Sequence, residues 1–178
     1  MLTLRFFAAM LLLGLVGAVH AACPPLLNHQ FKTLQGESFD FCGYAGKPIL
    51  VVNTASKCGF APQFDKLEKI YSQYKDKGLL VVGFPSNDFK QELESSKEIG
   101  DFCRLTYFVK FPMMEKSSIR GDDANPLFKD LIKASDTSPK WNFYKYLIAP
   151  DGKTVTAYGS ITEPDSKDIL GKIQDWLK

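Results

Sequence analysis

The sequence predicts an α/β fold in which helices flank a central mixed β-sheet, and three observations carry that prediction. The run Ile49–Val52 is apolar, with no alternating polar positions, which is typical of a strand buried on both faces. Strand-like and amphipathic segments then alternate along the chain. Late in the sequence, Asp151-Gly152 lies between two apolar runs and predicts a hairpin turn. Alternating units with a final hairpin favour one layered α/β domain.

The beginning of the chain predicts a secretory signal peptide over residues 1–21. Arg5 precedes an apolar stretch that is followed by small residues, and the stretch is too short to predict a membrane span. Cleavage after Ala21 would leave one domain over residues 22–178 and an exported, periplasmic protein. A lipoprotein anchor on Cys23 is the rival, but the residue three positions before that cysteine is a histidine rather than the expected aliphatic residue.

The charge balance gives the protein no electrostatic reason to bind nucleic acid. The 178-residue chain has a formal net charge of +2, and removal of the signal peptide would take away only Arg5 among the charged side chains. A chain this close to neutral is not drawn to nucleic acid or to an anionic membrane surface. We therefore expect no nucleic-acid partner, and the length fits a single domain with its own core.

A β-hairpin is predicted after the signal peptide, with strands at 31–33 and 39–41 around the turn Gln35-Gly36-Glu37. Cys23 and Cys42 bracket this hairpin. Because export places the chain in an oxidising compartment, we expect these two cysteines to form a structural disulfide. A lipid on Cys23 would exclude that pair.

The next predicted units place one thiol at the junction of a strand and a helix. The buried strand is predicted over 49–54, and Pro62 with the apolar spacing of the following residues predicts a helix over 62–76, beginning near Ala61. Cys58 lies between them, near the positive end of the helix dipole and near unpaired backbone N–H groups. Both favour the thiolate, which is the reactive form. The alternative is a small buried cysteine that packs as a hydrophobic residue.

The rest of the chain continues the alternation of strands and helices. Ser95 as N-cap and Glu98 three residues later form a capping box, which predicts a helix over 95–104. The remaining predicted elements are strands at 79–84, near 112–115, at 144–149 and at 154–159, and helices at 125–134 and 164–177.

Three segments of the chain resemble the motifs of the glutathione peroxidase family. Residues 53–59, NTASKCG, resemble its catalytic signature, in which Cys58 stands at the position of the catalytic cysteine or selenocysteine. Residues 84–89, FPSNDF, resemble its FPCNQF, and residues 141–147, WNFYKYL, resemble its WNFxKFL. The three motifs occur in the order that the family has them, from about residue 47 to residue 147.

This resemblance implies a thioredoxin-like fold and a thiol peroxidase that reduces hydrogen peroxide and organic hydroperoxides through Cys58. Trp141 and Asn142 would supply neutral N–H donors that stabilise the thiolate. Cys103 would resolve the oxidised cysteine, although its place on an amphipathic helix by itself favours a core residue. The implied reductant is glutathione or a thioredoxin-like protein, and we expect no cofactor and no metal. The short segment 133–141 resembles monomeric members, so we expect a monomer.

The chain departs from the family at Asp88, where the resemblance places the usual glutamine of the site. An ionised carboxylate only accepts hydrogen bonds, and its charge opposes thiolate formation nearby. Three interpretations remain open: the carboxylate turns away toward solvent or Lys90, it stays protonated and donates, or it carries a proton to the leaving hydroxide. The turn-forming sequence Ser86-Asn87-Asp88 favours the first.

Other function classes also fit parts of the sequence. A thiol–disulfide oxidoreductase would need a Cys-x-x-Cys motif, but Ala55 stands three residues before Cys58. A non-enzymatic, exported redox sensor that passes oxidation from Cys58 to a partner would have the same sequence features. Steady-state turnover of peroxide with a reducing system distinguishes the sensor from the enzyme.

Overall fold

An antiparallel hairpin opens the part of the chain that the computed structural model describes, residues 22–178. Its strands are Gln30–Lys32 (β1) and Ser38–Asp40 (β2). Cys23 and Cys42 are joined by a disulfide across this unit, with their Cα atoms 5.4 Å apart. The hairpin and the disulfide are therefore as predicted, whereas the predicted signal peptide lies outside the described residues.

The central sheet has four strands in the order β4-β3-β5-β6. They are Ile49–Thr54 (β3), Leu80–Pro85 (β4), Lys145–Ile148 (β5) and Val155–Tyr158 (β6). β3 and β4 are parallel, whereas β5 runs antiparallel to both β3 and β6. Every residue of β3 and β4 is buried, as the unbroken apolar run of β3 predicts. The mixed sheet confirms the predicted fold class.

Four α-helices cover the two faces of this sheet. They are Gln63–Tyr74 (α1), Ser96–Thr106 (α2), Pro126–Ser135 (α3) and Lys167–Trp176 (α4). One face of β3 packs with α1, α2 and α4 in a single apolar cluster, and the other face packs with α3 in a second cluster. Of the helices described over residues 22–178, none is long and apolar enough to cross a membrane.

One predicted strand, near 112–115, does not form. Met113 pairs with Gly83 of β4, but the next residue pairs with Thr33 beside the hairpin, so the segment changes partner after a single bridge. Pro112 has no N–H to extend a ladder along β4. Gly83 leaves room for the Met113 side chain, since a Cβ there would lie 2.3 Å from its sulfur and would force that side chain to move.

Candidate active site

Three loops of the chain meet at one edge of the central sheet. β3 and β4 end side by side in parallel register, with Thr54 opposite Pro85, and the antiparallel β5 begins at Lys145, opposite Val52. Because the carboxyl ends of parallel strands share one edge, the loops 55–62 and 86–95 leave the sheet together, and the segment 141–144 enters β5 beside them. These loops carry the three motifs that the sequence singled out.

Cys58 lies in the turn between β3 and α1, with only 6% of its surface exposed. The backbone N–H of Phe60 donates a hydrogen bond to its sulfur over 3.5 Å. Tight turns, such as the one closed by the N–H of Ala61 on the carbonyl of Cys58, occupy residues 58–62. As a result α1 begins at Gln63 rather than near Ala61. A backbone N–H therefore points at the sulfur that the sequence places between a strand and a helix.

The loop after β4 binds the Cys58 turn through two consecutive residues. The N–H of Lys57 donates to the carbonyl of Gln91 over 2.8 Å, and the N–H of Ser56 donates to the Glu92 carboxylate over 3.0 Å. The side chain of Gln91 reaches the third loop, where its Oε1 accepts a 2.9 Å hydrogen bond from Nδ2 of Asn142. Gln91 therefore joins the thiol turn to one of the predicted donors.

Gln91 was not singled out from the sequence, where Asp88 stands at the position of the family's glutamine. The Asp88 carboxylate instead accepts a 2.8 Å hydrogen bond from the N–H of Ile119, and its own N–H donates to Ser86. The favoured interpretation had this carboxylate turned toward solvent or Lys90, whereas its partner is a backbone N–H. The only sequence signal for Gln91 is that an amide side chain stands three positions after Asp88.

Trp141 and Asn142 occupy the same turn but differ in exposure. Trp141 is 40% exposed, and its ring packs on Phe89 of the β4 loop with the ring centroids 5.2 Å apart. Asn142 is fully buried, and among the described residues its side-chain oxygen has no hydrogen-bond partner. The structure thus brings Asn142 to the Cys58 turn through Gln91 and holds Trp141 against the neighbouring loop.

Cys103 is buried on α2, in the same apolar cluster as Cys58, and both are free thiols. Burial, and secondly the charge of Glu92, raise the pKa of the Cys103 thiol to about 12. Burial also raises the pKa of the Glu92 carboxyl. Cys103 lines a cavity of about 300 Å³ between α2, the hairpin turn and the segment 109–113. At neutral pH the Cys103 thiol is therefore protonated, so it is not the thiolate of this site.

Comparisons with known proteins identify the relatives of this chain. A family model described as glutathione peroxidase matches residues 26–132. The chain is 46% identical over 150 residues to a glutathione peroxidase-like peroxiredoxin of Chlamydomonas reinhardtii, which covers 82% of this chain and 93% of that protein. It is 43% identical over 157 residues to a hydroperoxy fatty acid reductase of Synechocystis, which covers 82% of this chain and 92% of that protein.

Solved structures also resemble this chain. The crystal structure of Trgpx in its apo form superposes with a TM-score of 0.68 at 36% identity, covering 85% of this chain and 95% of that one. A thiol:disulfide interchange protein of the thioredoxin family from Chlorobium tepidum superposes with a TM-score of 0.65 at 18% identity, covering 89% of this chain and 99% of that one. The second likeness concerns the fold alone, which is thioredoxin-like as predicted.

Proposed function

Since the chain belongs to the glutathione peroxidase family and is a peroxidase, we propose that it reduces hydrogen peroxide and organic hydroperoxides with Cys58 as the nucleophile. The observation that carries this proposal is the hydrogen bond from the Phe60 N–H to the Cys58 sulfur, in a turn that is tied to the Gln91–Asn142 pair. A thiol with a backbone donor, beside neutral amides, suits a reaction that starts from a thiolate.

The reaction transfers one oxygen atom to the sulfur. The Cys58 thiolate attacks the terminal oxygen of the hydroperoxide, the O–O bond breaks with its electron pair leaving on the other oxygen, and the sulfur becomes a sulfenic acid. The leaving hydroxide or alkoxide takes up a proton and departs as water or an alcohol. The indole N–H of Trp141 and the amide of Asn142 stabilise the negative charge without titrating.

We assign the third donor to Gln91 rather than to Asp88. Because Gln91 accepts from Asn142 with its oxygen, its own amide hydrogens remain free to donate. The Asp88 carboxylate is engaged by the N–H of Ile119, so we assign it no part in donating to the sulfur. The role of Asp88 in this account is to hold the loop around residue 119.

The surface beside the site supports organic hydroperoxides as substrates. Trp141 is 40% exposed, and Ile161, which follows a residue hydrogen-bonded to Asn142, is 85% exposed. Apolar side chains left in solvent on and next to the turn that carries Asn142 provide a place for the hydrocarbon part of a substrate. The relative from Synechocystis is named as a hydroperoxy fatty acid reductase.

For regeneration we propose that Cys103 resolves the oxidised Cys58. The Cys103 thiol attacks the sulfenic acid, a disulfide forms and water leaves. Both sulfurs lie in one apolar cluster, and the cavity beside Cys103 opens the α2 side to a reductant. The disulfide needs the two Cα atoms roughly 4.4–6.8 Å apart, and a larger separation in the reduced protein requires part of α2 to unwind. Peptide mapping of peroxide-treated protein tests it: a Cys58–Cys103 disulfide supports the step, whereas Cys58 as a mixed glutathione disulfide with Cys103 free excludes it.

A thiol reductant then reduces the enzyme, and we propose glutathione or a thioredoxin-like protein. The test is steady-state consumption of hydrogen peroxide by residues 22–178 with glutathione and, separately, with a thioredoxin system. Turnover with either supports a peroxidase and identifies the donor. Consumption that stops at one equivalent with both would favour the redox-sensor alternative.

The remaining questions are where the mature protein is located and whether it is a monomer. We propose that cleavage after Ala21 releases a monomer of residues 22–178 into the periplasm, with Cys23 in its disulfide. Sequencing of the amino terminus of the mature protein and sedimentation analysis test these two points. A mature protein that still carries the first 21 residues of the chain, or a stable dimer, would contradict them.

A further inference from the structure

The turn that carries Trp141 and Asn142 is held by its own backbone carbonyls. Each of the four carbonyls of residues 141–144 accepts a hydrogen bond from a residue outside the turn. Backbone groups at a loop of this kind usually bond to water or to one neighbouring strand. Here β3, β5 and the segment that follows β6 supply the donors, through Asn53, Lys145 and Ser160.

Asn53 makes four of the hydrogen bonds to this turn. It is fully buried on β3, and its Nδ2 donates to the carbonyl of Trp141 over 3.1 Å while its Oδ1 accepts from the N–H of Tyr144 over 3.0 Å. Its backbone N–H donates to the carbonyl of Tyr144 over 3.2 Å, and its carbonyl accepts from Phe143 over 2.7 Å. Of the side chains of this size, an amide is the one that both donates and accepts in this geometry.

Lys145 and Ser160 hold the opposite side of the turn. The Lys145 ammonium is fully buried and donates to the carbonyl of Phe143 over 2.8 Å and to that of Thr162 over 2.6 Å. No carboxylate among the described residues forms an ion pair with it, and burial lowers the pKa of this group to about 7. The hydroxyl of Ser160 donates to the carbonyl of Asn142 over 2.6 Å. A buried amine is costly unless its hydrogen bonds are made, and here backbone carbonyls of the turn and of the segment after β6 accept them.

The backbone of residues 141–144 has a conformation that needs support from its surroundings. Phe143 has a φ of 62° in the left-handed region, which an aromatic residue adopts only when its surroundings impose it. In this conformation the Phe143 ring enters the core against Phe64, with the ring centroids 5.2 Å apart, while the preceding Asn142 side chain meets Gln91.

We propose that Asn53, Lys145 and Ser160 are positioning residues, which fix the backbone of residues 141–144 and so set where the Trp141 indole and the Asn142 amide lie. Asn53 has the largest part, because it bonds both ends of the turn and lies on the strand that leads to Cys58. The proposal rests on the proposed function for its catalytic consequence, but the position of the turn itself is measurable without any activity.

The experiment uses Asn53→Asp and Asn53→Leu, each combined with Trp176→Phe so that Trp141 is the sole tryptophan. Asn53→Asp keeps an acceptor for Tyr144 but loses the donor to Trp141, and Asn53→Leu loses both. Two quantities are measured: the rate constant for oxidation of Cys58 by peroxide per folded molecule, and the fluorescence and solvent quenching of Trp141. We expect at least a tenfold loss of the rate constant and an altered Trp141 signal in both variants.

The matched control is Val51→Ala in the same background. Val51 is fully buried on the same strand but packs in the apolar cluster with α3, so its truncation destabilises the protein without touching the turn. The control should keep its rate constant within twofold and its Trp141 signal unchanged. If the Asn53 variants lose no more rate than the control, or if the Trp141 signal is the same in all, the positioning role is wrong. If the parent does not react with peroxide but the Trp141 signal still changes, the proposed function fails and the positioning of the turn stands.

Discussion

Replacing Asp88 by alanine should cost stability and leave peroxide reduction intact. The substitution removes a carboxylate that accepts a 2.8 Å hydrogen bond from the N–H of Ile119, in a partly buried place. A hydrogen bond to a charged group contributes about 1.5–3 kcal/mol. For a protein of this size each kcal/mol shifts the melting temperature by about 2–4 °C, so we expect a decrease of roughly 3–12 °C. The rate constant for peroxide oxidation should stay within about twofold of the parent, because the carboxylate does not act on the sulfur.

Replacing Gln91 by alanine, in contrast, should slow peroxide reduction. The Asn142 side chain is fully buried and its oxygen already lacks a partner, so losing Gln91 leaves the whole amide without a hydrogen bond to fix it. The donor that Gln91 itself supplies also disappears. We expect the rate constant to fall at least tenfold, which corresponds to about 1.4 kcal/mol of transition-state stabilisation.

Both variants are compared by stopped-flow oxidation with hydrogen peroxide, together with thermal unfolding to establish the folded fraction. Asp88→Asn is the conservative companion, since it keeps an acceptor for Ile119 and should recover part of the stability. The assignment is refuted if Asp88→Ala remains folded and loses tenfold or more in rate, while Gln91→Ala reacts like the parent. That result would mean that the Asp88 carboxyl group acts on the reacting oxygen, either as a hydrogen-bond donor or as a proton carrier.

The remaining predictions concern the cysteines. Cys58→Ser should abolish turnover, because a hydroxyl does not ionise enough to attack at neutral pH, and more than trace activity in a peroxide assay would remove Cys58 from the nucleophile role. The folded Cys103 thiol, with its pKa raised to about 12 by burial and then by Glu92, keeps its proton from pH 9 to about 12 while the unfolded chain loses it. The free energy of unfolding should therefore decrease as the pH rises through this range. In denaturant titrations this decrease should be smaller for Cys103→Ala than for the parent. Removing the Cys23–Cys42 disulfide, which spans 19 residues, should cost about 3 kcal/mol in unfolding experiments and leave peroxide reduction unchanged.

The elements that depend on local pattern could be predicted from the sequence. The apolar run of β3, the capping box of α2 and the paired Cys23 and Cys42 are all present in the structure. These features depend on neighbouring residues, or on two cysteines that bracket one hairpin, so periodicity and cap chemistry are sufficient to find them. The position of Cys58 between strand and helix belongs to the same class.

The pairings across the fold could not be predicted. Gln91 and Asn142 are 51 positions apart, and their contact depends on how the β4 loop turns, with Lys90 in the left-handed region. The predicted strand near 112–115 failed for a similar reason, because the segment divides its hydrogen bonds between two partners. The burial of Lys145 could not be predicted either, because lysine is rarely buried and the sequence alone favours an exposed side chain.

The most direct test of the central claim is the site of oxidation in a single turnover. The reduced mature protein is treated with one equivalent of hydrogen peroxide, trapped at once and mapped by mass spectrometry. We expect the oxidation at Cys58, either as a sulfenic acid or as a disulfide with Cys103, while the Cys23–Cys42 pair is unchanged. If Cys58 is recovered as a free thiol while peroxide is consumed, or if the peroxide persists beside a folded, reduced protein, the assignment of Cys58 as the peroxide-reducing nucleophile is wrong.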